Sequence, residues 1–120
     1  MNILSPSPEE QIAEFFRVLG QPVRVQILLT IGSGEACVCH LEAYLGLRQA
    51  LISQHLMVLR DAGLVTATRD GRNIYYRLAQ PELLELVRHA ARLAGPVVEA
   101  PGEPKSPCPC PHCNPLTSAG

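Results

Sequence analysis

Proline placement constrains this chain more than any other feature. Of eleven prolines in 120 residues, seven lie beyond residue 95: Pro96, Pro101, Pro104, Pro107, Pro109, Pro111 and Pro115. Proline lacks a backbone donor and blocks the interior of helices and central strands. Residues 96–120 therefore read as a Pro/Cys-rich flexible tail. The fold must come from residues 9–95, with residues 1–8 as an N-terminal arm. A segment of that length is one small domain, too short for two cores.

Within it the punctuation is regular. Pro8 with Glu9 and Glu10 suits a helix start, and Ile12, Phe15, Phe16 and Leu19 follow at helical spacing up to Gly20. Pro22 opens a second helix carrying Val23, Ile27, Leu28 and Ile31, stopped at Gly32-Ser33-Gly34. A short helix with Leu41 and Leu45 ends at Gly46, and another runs from about Arg48 to Ala62 with Ile52, Leu56 and Leu59 on one face. The period then changes. Leu64–Arg69 and Ile74–Leu78 are rich in β-formers and flank Asp70-Gly71-Arg72-Asn73, a hairpin signal. A last helix from Pro81-Glu82 carries Leu83, Leu84, Leu86, Val87, Ala90 and Leu93. The expected fold is mainly α with a β-hairpin wing, ααααββα, a winged helix-turn-helix.

Composition narrows the function. Aromatics are 4% with no Trp, which excludes a stacking platform for single-stranded nucleic acid. The apolar run Val23–Ile31 is interrupted by Arg24 and Gln26 and is far short of a membrane span, and no secretory signal opens the chain. The expectation is a cytoplasmic protein with no membrane partner, whose five Cys are reduced and read as metal-binding or redox groups. No nucleophile–base pair or phosphate loop suggests an enzyme.

Charge is placed rather than abundant. The chain carries net −1, yet residues 48–77 hold five Arg against two Asp, a local +3. With Ile52, Leu56 and Leu59 turned inward, Ala50, Ser53, Gln54 and Met57 lie on the opposite face of their helix, with Gln49 at its edge. Gln pairs bidentately with adenine in the major groove. Arg48 starts that helix, and Arg69 and Arg72 bracket the hairpin tip, where a wing meets phosphates. Double-stranded DNA is thus the expected partner.

Three segments in order carry a resemblance: Glu35-Ala36-Cys37-Val38-Cys39-His40-Leu41, Leu47–Leu56 and Gly71–Leu78. Together they resemble the ArsR/SmtB family of metal-responsive repressors over about residues 10 to 94. The resemblance implies a homodimer built on the first and last helices, an inverted-repeat operator, and release by an inducer. His55 matches a common family position. Ala50, Leu51 and Gln54 depart from the Pro, Lys and Arg often found there, so the recognition helix is less basic than is usual.

Cys37-Val38-Cys39 is the loaded feature. Family sensors of arsenic and of cadmium or lead carry such a pair at the start of the first helix of the motif. Thiolates select soft ions, here As(III), Cd(II), Pb(II) or Zn(II), and a helix N-terminus favours the thiolate. Two ligands are too few. His40 is a possible further one, and the tail offers Cys108, Cys110, His112 and Cys113 within six residues, a metal-ligand density. From Gly95 to Cys108 an extended chain spans about 40 Å, enough to bring Cys108, Cys110 or Cys113 to the pair in its own or a partner subunit. The alternative on the same fold is a thiol-redox or persulfide-responsive repressor, with Cys37 bridged to a tail thiol. The acidic and His site that relatives carry on the last helix has only His89, Glu82 and Glu85 here.

Overall fold

The computed structural model describes residues 5–95. The chain runs α1(Pro8–Leu19), α2(Pro22–Ile31), β1(Ala36–Cys37), α3(Val38–Leu45), α4(Gln49–Asp61), β2(Val65–Asp70), β3(Asn73–Leu78) and α5(Glu82–Ala94). All the expected elements form, within a residue or two of their expected ends. One was not foreseen: the two-residue strand β1. Ala36 pairs with Tyr76 and Cys37 with Tyr75, so the hairpin becomes an antiparallel sheet of order β1-β3-β2. Two residues carry no alternation, so no periodicity could reveal them.

Local chemistry explains the boundaries. The Ser7 hydroxyl accepts the Glu10 backbone N–H at 3.1 Å and caps α1. Gly46, at φ 68° and ψ 27°, ends α3 in the left-handed region and turns the chain into α4. Gly71, at φ 65°, makes the hairpin tip between Asp70 and Asn73, which pair directly.

The core lies where α2, α3, α4 and α5 meet the sheet. Ile27, Leu28, Leu41, Ile52, Leu56 and Leu59 are fully enclosed, joined by Val18, Ile31, Val65, Leu83 and Val87. Burying each such aliphatic side chain stabilises the fold by about 1.5–3 kcal/mol before chain entropy is counted. Among the described residues no buried side-chain nitrogen or oxygen lacks a partner, and no helix is long and apolar enough to cross a membrane. The outermost helices leave apolar groups in water: Ile12 and Phe16 on α1, Leu86 and Leu93 on α5.

Candidate nucleic-acid interface and thiol site

Two helices, α3 and α4, are joined by the short turn Gly46–Arg48 and packed against each other. Ile52, Leu56 and Leu59 anchor α4, fixing which side it shows to solvent. Gln49, Ala50 and Gln54 are exposed and Ser53 is half-buried, as expected for a groove-reading face. Arg48 is the exposed N-cap residue of α4. Arg69 and Arg72 are both exposed at the hairpin tip, with Arg69 opposite Ile74 in the ladder. Arg77, also counted in the local charge, is instead tied to Glu35 at 2.8 Å and joins β3 to the chain entering β1.

His55 is held differently from its neighbours on α4. Arg24 on α2 donates from Nε to His55 Nδ1 at 3.1 Å and from Nη1 to the Val18 carbonyl at 2.9 Å. A guanidinium only donates, so Nδ1 carries the lone pair and the ring is neutral. Burial, then the charge of Arg24, hold its pKa below the ordinary 6.5. The contact braces the recognition helix against α1 and α2. Sequence reasoning missed Arg24 in this role, although a lone Arg inside the apolar run Val23–Ile31 was its signal.

The sign of the pH effect follows. Above about pH 6.5 His55 is neutral folded and unfolded, and the contact is fully present. As pH falls through 6.5 the unfolded chain takes up a proton first, and stability declines down to the lower folded pKa. His40, pushed down by burial, adds in the same direction. The melting temperature should therefore fall between pH 7.5 and 5.5, and His55→Gln should make that fall shallower. A melting temperature that is flat or rises on acidification would contradict the assignment.

The thiols sit at the junction of the motif and the sheet. Cys37 ends β1 and is the N-cap of α3, at φ −86° and ψ 169°, its Sγ accepting the His40 backbone N–H at 3.3 Å. Its side chain is 3% exposed and packs with Tyr75, its partner in register, while the half-buried Cys39 packs against both. Cys37 is thus less open than a surface ligand, and engaging it means opening the cap. His40 stacks on Tyr44 with ring centroids 4.5 Å apart, and its lowered pKa keeps the imidazole in the neutral, ligating form. No three Cys, His, Asp or Glu among the described residues gather as a metal site. Cys108, Cys110 and Cys113, with His112, lie outside the described residues. On α5, Arg92 Nη2 lies 3.1 Å from His89 Nδ1, a cation where a metal ion would have to approach.

Comparison with known proteins fits this architecture. Residues 21–67 match the family model for bacterial regulatory proteins of the arsR family. The HTH-type transcriptional repressor SmtB of Mycobacterium tuberculosis is 40% identical over 94 residues, covering 76% of this chain and 70% of that one. The chain belongs to the ArsR/SmtB family of transcriptional repressors. This ArsR-family repressor is also 38% identical over 82 residues to a Streptomyces lividans protein named "Probable mercury resistance operon repressor", covering 68% of this chain and 66% of that one. The solution structure of a homodimeric winged helix-turn-helix DNA-binding domain from Mycobacterium bovis superposes with TM-score 0.66 at 28% identity, covering 79% of this chain and 93% of that one. The α3–α4 pair is accordingly the helix-turn-helix of a DNA-binding repressor, and β2–β3 is its wing.

Proposed function

We propose that this ArsR-family repressor binds an inverted-repeat operator as a homodimer and lets go when a thiophilic ion is captured by Cys37 and Cys39. Double-stranded DNA is contacted by Arg48, Gln49, Ala50, Ser53 and Gln54 on α4, beside His55, and by Arg69 and Arg72 on the wing. One or two thiols of Cys108, Cys110 and Cys113 complete the ligand set. Three sulfurs suit As(III) or Pb(II), and four suit Cd(II) or Zn(II). The bound ion supplies the differential affinity that shifts the protein from its DNA-bound to its free conformation.

The observation that carries this reading is the position of Cys37. Its sulfur caps the first helix of the helix-turn-helix and its backbone pairs with the wing strand. An ion that takes this sulfur competes with the His40 N–H for its lone pairs and pulls on both DNA-facing elements together. The mercury-resistance name of one relative supports the ion class. The apolar groups Ile12, Phe16, Leu86 and Leu93 on α1 and α5 support the second subunit, as does the homodimeric relative. The reduced cytoplasm is the compartment in which such thiols stay available.

The test is operator binding by the full chain, followed by anisotropy while As(III), Cd(II), Pb(II) and Zn(II) are titrated in. At least one ion should release the DNA, with thiolate-to-metal absorption growing in step. Release by a polysulfide or a peroxide alone, with a mass shift at Cys37, would replace the ion with redox chemistry.

A further inference from the structure

The outward face of α4 differs in kind from the rest of the basic region. Ala50, Gln54 and Met57 recur at i, i+4 and i+7, opposite the enclosed Ile52, Leu56 and Leu59. All three are exposed, and Met57 leaves 56% of its surface in water. No charged side chain interrupts the helix between Arg48 and Arg60. Arg60 stands on the flank, 3.6 Å from Asp61.

Base-pair chemistry gives this pattern a meaning. Guanine is read by Arg or Lys at O6 and N7, and cytosine by a carboxylate at N4. Adenine is read by Gln or Asn at N6 and N7, and thymine by apolar contact with its methyl group. The central stripe of α4 offers an amide and two apolar groups, and nothing suited to guanine or cytosine. The exposed guanidiniums of Arg48, Arg69 and Arg72 stand at its start and on the wing, placed for phosphates rather than for base edges.

We propose that α4 specifies A·T base pairs at the centre of each operator half-site, Gln54 pairing with an adenine while Met57 and Ala50 pack on thymine methyl groups. This rests on α4 being the helix that enters the major groove. It explains why a large thioether is kept on a solvent-facing helix surface. It also places base specificity in the uncharged residues and leaves backbone attraction to Arg48, Arg69 and Arg72.

The experiment is selection from a random duplex library with the full-length chain, followed by affinity measurements on the selected site. A·T pairs should be enriched at adjoining central positions of both half-sites. Replacing those thymines with uracil, which removes only the methyl groups, should weaken the native chain several-fold and Met57→Ala, which keeps only the Ala50 contact, by clearly less. Gln54→Arg should move the preference at one position from adenine to guanine, by about 5-fold or more. Both residues are exposed, so melting temperatures near that of the native chain confirm that the variants fold. Central G·C pairs, or equal uracil losses for the native chain and Met57→Ala, would overturn the proposal. A library with no enriched half-site would overturn operator reading by α4 as well.

Discussion

Serine at both positions, Cys37→Ser with Cys39→Ser, is expected to leave operator binding intact and to abolish ion-induced release. The structure says why binding survives. Position 37 is an N-cap whose side chain accepts the His40 N–H, and serine is among the preferred residues for that role. The cap is kept, and with it the start of the helix-turn-helix. A hydroxyl does not ionise near neutral pH and binds soft ions poorly, so the coupling is lost. Cys37→Ala, by contrast, removes the cap as well as the ligand, at a cost of about 0.5–2 kcal/mol in stability. Anisotropy with and without the ion reads both quantities. Undiminished release from the double-serine variant would mean that the ion acts elsewhere, and the reading of Cys37 and Cys39 would fall.

The second large effect concerns salt. Arg69→Ala with Arg72→Ala strips the wing tip of both guanidiniums, which in a homodimer is about four phosphate contacts. Each contact contributes about 0.9 to the slope of log K against log salt. The slope should therefore flatten by about 3.5, with the affinity loss greatest at low salt. Sequence preference should hardly change, because phosphate contacts carry no base information. Arg77→Ala is the informative control: its guanidinium is held by Glu35 at 2.8 Å, so its removal should leave the slope nearly as it was. Equal slopes for the native chain and the double variant would show that the wing does not touch the duplex.

Much of this architecture was legible because it is written in period and punctuation. The stripe Ile52, Leu56, Leu59 fixed the orientation of α4, and all three are enclosed as expected. Asp70-Gly71 placed the hairpin tip at its observed position. What stayed hidden depends on contacts distant along the chain. Strand β1 exists only because β3 is there to pair with it. The hydrogen bond from Arg24 to His55 spans 31 positions, and that between Arg77 and Glu35 spans 42. The thiol pair was visible as a motif, but the burial of Cys37 was not, since it arises from Tyr75 across the sheet. The solvent-facing residues of α4 were thus more legible than the contacts that brace the helix.

The unequal joints of the sheet decide how a disturbance at the sulfur would travel. Strands β2 and β3 share six residue pairs, whereas β1 holds β3 by two. The shorter seam is the weaker of the two, and it meets β3 at Tyr75 and Tyr76, part-way along the hairpin rather than at its root. Tyr75 faces Thr68, the neighbour of Arg69, so a displacement beside Cys37 would enter the hairpin one ladder step from its arginine-bearing tip.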